Sequence, residues 1–336
     1  MVKLLVPFAF LAVASAADPF NWKPCADKAD PQLQCGSLTV PLNHLHPTKN
    51  QTIDLAVRRY RTNSTTPKGT IVMNPGGPGA SGMYLASAKS VTLTGGHYDV
   101  LVFDPRGVGA SRPIKCSKNG VTAAVEAARL ASLTVPYDTD SSPTSMDRYA
   151  AEVKAQVRRC EKYDGDYLPY LSTAFVARDM DAIRNALGEP VLNFYGMSYG
   201  TFLGITYANL FPSRVGRIAL DSVLDPTAYT GPTPDLMLSS ATGIDPTLEG
   251  FAAACEAVGP SQCALAEPKG KPCGYVLTKI QSLFDATNET PLVVPNGDDD
   301  ISVLTGTAIR AYTLVDLSFP RAYPIVAQYL NDMITA

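Results

Sequence analysis

Gly196-Met197-Ser198-Tyr199-Gly200 sets a serine between two glycines at a spacing suited to nucleophilic chemistry. Composition alone yields about 0.12 such pentapeptides in a chain of this kind, so the flanks carry the weight. An apolar strand is predicted over 191–195, and a helix over 201–210, ended by Pro212. A strand-to-helix turn this sharp forces its central residue into a strained backbone state, and glycines on both sides, Gly196 and Gly200, remove side chains that would clash. Ser198 is thereby raised above the sheet edge as a candidate nucleophile. A serine attacking a carbonyl needs donors for the oxyanion. The backbone N–H of Tyr199 is one candidate. Asn74-Pro75-Gly76-Gly77-Pro78-Gly79-Ala80-Ser81-Gly82, after a predicted strand over 70–73, offers the second, with Gly77 as the chosen donor.

The base is missing from this pattern. A serine hydroxyl is a weak nucleophile until an adjacent base takes its proton. The chain has three histidines, His44, His46 and His97, and none follows Ser198. His44 and His46 fall near a polar turn, and His97 precedes a strand at the end away from the expected site. Asp221 and Asp225 follow a predicted strand and read as turn and capping residues. No metal set such as H-E-x-x-H is present, and the glycine-rich loop lacks the G-K-[ST] ending of a phosphate cradle. No cofactor is expected.

The elements that must position these residues follow from periodicity. Residues 37–61 alternate around a polar turn at 47–50, as two antiparallel strands do. Short apolar runs at 70–73, 100–103, 191–195 and 218–220 have the character of strands buried on both faces. Helical spacing places Tyr149, Val153, Val157 and Cys160 on one face, with Ser145 as N-cap, and Val176, Met180, Ile183 and Leu187 on another, stopped by Gly188 and Pro190. Helices alternating with buried strands predict a mostly parallel α/β sheet behind an antiparallel start. From about Pro226 the chain turns Pro-, Thr- and Ala-rich and helical, without a clear buried strand. The expected organisation is a signal peptide at 1–17, a core at 18–226 and a helical unit at 227–336.

Composition sets the compartment and excludes some partners. The chain has 336 residues, 46% hydrophobic and 18% charged, with a formal charge of −3, which excludes a disordered or fibrous chain. No Lys/Arg run marks a nucleic-acid or anionic membrane surface. Lys3, an apolar stretch and Ala14-Ser15-Ala16 have the order of a secretory signal, so the protein is expected to be secreted. Disulfides persist there, and local spacing pairs Cys25 with Cys35 and Cys255 with Cys263. Cys116 and Cys160 then close a long excursion, leaving Cys273 alone. Asn50, Asn63 and Asn288 head N-x-[ST] triplets and are candidate glycosylation sites.

Taken together, Pro75-Gly76-Gly77-Pro78-Gly79, Phe103-Asp104-Pro105-Arg106-Gly107-Val108-Gly109-Ala110-Ser111 and the 196–200 pentapeptide resemble the α/β-hydrolase serine peptidases of the prolyl aminopeptidase type, in particular the secreted branch with the tripeptidyl aminopeptidases. The resemblance runs from about Cys25 to at least Asp225. It implies an α/β-hydrolase fold with a helical cap, a Ser-Asp-His triad, and exopeptidase action on peptides with free N-termini. Ser198 carries over as nucleophile, with Tyr199 and Gly77 as oxyanion donors; Asp104 and Arg106 carry over as residues holding a strand-end loop. Acidic cap residues hold the substrate's amino group in that family, and Glu249, Glu256 and Glu267 are the candidates. The family's triad Asp and His follow the serine, so this chain is expected to be C-terminally truncated, without the final strands, and impaired in catalysis. An esterase or lipase on the same fold and a noncatalytic secreted remnant are the alternative readings.

Overall fold

The computed structural model of the chain describes residues 18–118, 144–268, 270–295 and 301–335. The expected leader at 1–17 lies outside these residues. Over them the chain forms two compact units, one from residues up to Lys115 with Asp164–Pro226, the other from Cys116–Tyr163 with Thr227–Ala336. The described residues 116–118 and 144–163, expected within the core, group with the C-terminal unit.

The first unit is built on a seven-stranded sheet. Its strands are β1 (Lys23–Pro24), β2 (Leu33–Pro41), β3 (Thr52–Tyr60), β4 (Thr70–Asn74), β5 (Asp99–Phe103), β6 (Leu192–Met197) and β7 (Val215–Asp221). Their order is β1-β2-β3-β5-β4-β6-β7. The first three pair antiparallel and join β5, while β5, β4, β6 and β7 run parallel. Register sets Asn74 opposite Gly196 and Met197 opposite Asp221, so the loops leaving β4, β6 and β7 open at one edge. In α/β sheets this carboxyl edge is where ligands bind.

Side chains alternate across β5. Val100 and Val102 join Met73, Leu33, Ala86 and Val91 in one apolar cluster, with Val91 coming from helix α1 (Ala88–Leu93). Leu101 and Phe103 point the other way by the two-residue period of a strand and are equally buried. A long helix α2 (Ser145–Asp164) is followed by α3 (Thr173–Ala186) and α4 (Tyr199–Leu210). Helix α3 buries Val176, Met180 and Ile183, the face expected from spacing, and Gly188 at φ +72° follows its end. Helix α4 buries Leu203 and Tyr207.

Three expectations are corrected. Helix α2 does not bury its apolar stripe: Val157 is half exposed, Gln156 is buried instead, and Cys160 is tied to Cys116. A disulfide, rather than hydrophobic spacing, anchors that helix. Among the described residues strand β7 has β6 alone as a neighbour, so its 218–220 run is not buried on both faces and the flank beside that run lies open; Arg217, Ala219 and Asp221 are exposed. A strand with one partner cannot be covered as a central one is. The C-terminal unit also contains an antiparallel hairpin, β8 (Leu292–Pro295) with β9 (Ile301–Leu304). Its valines 293 and 303 face each other in register and are mostly exposed, so no buried apolar run announces it.

The second unit packs α7 (Ile244–Val258), α8 (Tyr275–Glu289), α9 (Gly306–Leu317) and α10 (Tyr323–Thr335), preceded by α5 (Pro226–Thr230) and α6 (Thr233–Ala241). Phe251, Val276, Ile280, Phe284, Ile309 and Leu330 form its core. The disulfides Cys25–Cys35, Cys116–Cys160 and Cys255–Cys263 are formed as spacing indicated, and Cys273 is an exposed free thiol. Among the described residues, no helix is long and apolar enough to cross a membrane.

Candidate active site

Ser198 occupies the turn between β6 and α4 with φ 54° and ψ −125°, a conformation that non-glycine residues rarely adopt. It is exposed, while Gly196, Tyr199 and Gly200 around it are buried. The strain costs about 1–3 kcal/mol and persists only where neighbours over-determine it. Those neighbours are specific. The Ser198 N–H donates to the Asp221 carbonyl at 3.0 Å, anchoring the turn to β7. Thr201 donates its hydroxyl to the Ser198 carbonyl at 2.7 Å and accepts the Leu224 N–H at 3.0 Å. A Cβ on Gly196 would meet the Gly200 carbonyl carbon at 2.6 Å, and one on Gly200 would meet the Asn74 carbonyl at 2.7 Å. Both glycines are therefore steric requirements of the turn.

The loop after β4 lies against this turn. A Cβ on Gly76 would come within 2.6 Å of the Met197 carbonyl, 2.8 Å of the Ser198 Cβ and 3.0 Å of the Tyr199 nitrogen. Gly76 is buried at that contact, whereas Gly77 is exposed; their φ values are +100° and +112°. The Gly76 N–H donates to Asn74 Oδ1 at 2.9 Å. Tyr199 is fixed by its hydroxyl, 2.8 Å from Thr173 Oγ1. The structure thus brings Ser198, Tyr199 and the Gly76–Gly77 loop together. Sequence reasoning passed over Asn74 and Gly76 as individual residues; Asn-Pro at a strand end is a turn signal that could have marked Asn74.

The histidines sit elsewhere. His97 lies at the amino edge of the parallel strands, its Nδ1 2.8 Å from Ser64 Oγ. His44 follows β2 at the carboxyl edge, but four strand spacings, about 19 Å, separate β2 from β6. Its Nε2 lies 2.7 Å from Asp179 Oδ1. Asp179 also takes a two-pronged hydrogen bond from Arg106, at 2.7 and 2.6 Å, with both side chains fully buried. Arg106 further donates to the carbonyls of Leu42, Tyr170 and Pro41. Asp104 is buried, and its Oδ2 accepts the Ala110 N–H. Both residues hold the loop after β5. His46 is exposed, and its backbone N–H donates to Asn43.

The carboxylates resolve similarly. Asp221 Oδ2 accepts the Tyr195 hydroxyl at 2.8 Å, which raises the Tyr195 pKa. Burial, then Asp181 nearby, pushes Tyr207 up to about 12. In the second unit Glu256 accepts the N–H groups of Gly274 and Val276 at 3.1 and 3.0 Å, capping α8. Glu267 is bracketed by Lys271 and Lys279, whose ammonium groups lower its pKa. Glu249 is exposed. Asn50, Asn63 and Asn288 are exposed as well, but Asn288 Oδ1 accepts the Thr307 N–H at 2.8 Å.

Comparison with known proteins places this geometry. The family model described as alpha/beta hydrolase fold matches residues 69–259. The chain is 36% identical over 237 residues to a tripeptidyl aminopeptidase of Streptomyces coelicolor, a match covering 65% of this chain and 40% of that protein. It is 32% identical over 297 residues to serine protease Hip1 of Mycobacterium tuberculosis, covering 85% and 52%. It is 28% identical over 306 residues to carboxylesterase B of the same species, covering 87% and 55%. The chain spans about half the length of these relatives. With the strained serine between β6 and α4, the glycine loop after β4 and a family match over more than half its residues, the chain belongs to the α/β-hydrolase fold family.

Proposed function

We propose that this chain carries the nucleophile and oxyanion hole of a secreted serine peptidase acting on peptides with free N-termini. The observation that carries the reading is Ser198, exposed in a strained turn and packed against Gly76. Ser198 Oγ would bond the scissile carbonyl carbon while the N–H groups of Tyr199 and Gly77 receive the oxyanion. Gly76 cannot be that donor, because its N–H is committed to Asn74. The C–N bond then breaks, the hydroxyl proton leaves on the departing amine, and water hydrolyses the acyl ester to restore Ser198. A peptide substrate is supported by two relatives named as peptidases at 36% and 32% identity. The more distant carboxylesterase at 28% supports an ester as the second reading. Signal cleavage after residue 16 or 17 and N-glycans on Asn50 and Asn63 accompany the secreted reading.

None of the three histidines is positioned to carry the proton, so residues 1–336 alone should turn over slowly. Loss of triad members in serine proteases leaves about 10³–10⁴-fold over water, from binding and the oxyanion hole. The test uses purified protein with peptide amides bearing free N-termini, matched acyl esters, and a fluorophosphonate mapped by mass spectrometry. Ser198 should be phosphonylated ahead of every other serine, with hydrolysis close to that of Ser198→Ala. Absence of preferential labelling at Ser198 would refute the nucleophile assignment, and rapid turnover abolished by Ser198→Ala would refute the account of the histidines.

A further inference from the structure

We infer that Asn74 is a positioning residue for the oxyanion hole, a role that rests on Ser198 being the nucleophile. Asn74 closes β4, is 1% exposed, and lies in register with Gly196. Its side chain accepts the Gly76 N–H at 2.9 Å, and its carbonyl and Oδ1 would lie 2.7 and 3.0 Å from a Cβ on Gly200. One buried residue therefore touches both the donor loop and the first turn of the helix behind Ser198.

The need for such a residue follows from the loop's composition. Gly76, Gly77 and Gly79 all have positive φ, and glycine peptides rotate with little steric restraint. An oxyanion donor works only when already aimed, since reorganisation during the reaction forfeits the gain. The Asn74 hydrogen bond fixes the amide one residue before Gly77, while Gly76 rests on Ser198 and the Tyr199 nitrogen. Remove the acceptor, and the Gly76–Gly77 peptide is free to turn while the serine stays where it is. Asp keeps the acceptor and the local turn geometry; Ala and Leu do not.

The experiment follows phosphonylation of Ser198 by a fluorophosphonate and by its P=S analogue. In each, the Oγ–P bond forms, fluoride departs and the hydroxyl proton passes to solvent; the P=S group is a poorer hydrogen-bond acceptor in the hole. Rates are normalised to hydroxide in solution. Asn74→Ala and the volume-preserving Asn74→Leu should slow the P=O reaction about 10- to 100-fold, part of the ~10²–10³ that a lost donor costs. The P=O to P=S rate ratio should fall towards its solution value. Asn74→Asp should restore both rate and ratio, with thermal unfolding confirming the fold of each variant. Unchanged rates in Asn74→Ala and Asn74→Leu would overturn the inference while leaving Ser198 as nucleophile. So would slowing with an unchanged ratio, or loss of folding in both variants, because either marks Asn74 as a fold residue only. If wild-type Ser198 is not preferentially labelled, the nucleophile assignment fails first and the role of Asn74 falls with it.

Discussion

Replacing Asp179 with alanine should unfold the first unit at a markedly lower temperature. Asp179 and Arg106 are both fully buried and joined by two short hydrogen bonds. Taking away one partner leaves an uncompensated charge in the interior, which costs about 3–5 kcal/mol. Arg106 keeps its bonds to the carbonyls of Leu42, Tyr170 and Pro41, but neutral acceptors do not replace a carboxylate. At ~2–4 °C per kcal/mol for a unit of this size, the melting temperature should drop by about 6–20 °C. Asp179→Asn keeps an acceptor and the shape, and Arg106→Lys keeps the charge but loses the fork, so both should fall between the alanine variant and wild type. His44 loses its partner in Asp179→Ala, whereas His44→Ala leaves the Arg106–Asp179 pair intact and should cost far less. The assay is calorimetry at neutral pH. An alanine variant melting within about 1 °C of wild type, or no more damaged than His44→Ala, would refute the reasoning.

Glu189 is half-buried and accepts the Thr70 N–H at 2.7 Å, and desolvation raises its pKa above 4.5. The folded state then binds a proton more tightly than the unfolded one, so stability is lost as pH rises from 4.5 through the folded value; Glu189→Gln should flatten a melting curve taken from pH 4 to 7. Glu256→Ala uncaps α8 and should destabilise the second unit by about 1 kcal/mol, seen as a lower unfolding midpoint in urea, with Ser198 labelling unchanged. Gly196→Ala drives a methyl into the Gly200 backbone and should abolish Ser198 labelling or folding. Gly250→Ala, mid-helix with open space around it, should stabilise by about 0.5–1 kcal/mol in calorimetry.

What could be read in the residues was what local rules control. Gly196 reports a turn whose steric clash, with the Gly200 backbone, lies within five residues, and the α3 stripe reports a helix packed on one face. The disulfides followed from short separations, 10 and 8 residues for two of the three. What stayed hidden depends on register and distance along the chain. Asp179 lies 73 residues from the arginine that it neutralises; spacing puts it on the buried face of α3, but nothing local names its partner. The contact of Gly76 with Ser198 exists only because Asn74 is paired with Gly196 across two parallel strands. Helix α2 has an apolar stripe in sequence, yet Val157 on it is exposed and Cys160 is tied covalently to Cys116, 44 residues away. Periodicity has no access to that constraint.

The candidate site is divided by its own topology. The proposed nucleophile and oxyanion donors meet where two adjacent parallel strands end side by side, and the groups holding them come from β4, β6, β7 and the start of α4, with Thr173 of α3 on the Tyr199 hydroxyl. That junction is self-contained: glycine-on-backbone contacts fix the serine, and one buried amide side chain fixes the loop. A base has no such tie to the junction. It must arrive on a loop able to reach over the carboxyl edge, whereas His44 follows β2, a strand four spacings (about 19 Å) from β6, and is bonded to Asp179. Reactivity and turnover are consequently separate properties of this fold. The proposed oxyanion pocket should discriminate tetrahedral, oxyanion-bearing probes whether or not a proton acceptor is present, while rapid acyl transfer needs the acceptor as well. Slow hydrolysis by residues 1–336 therefore carries no weight against Ser198, and a ratio between two phosphonates carries a great deal.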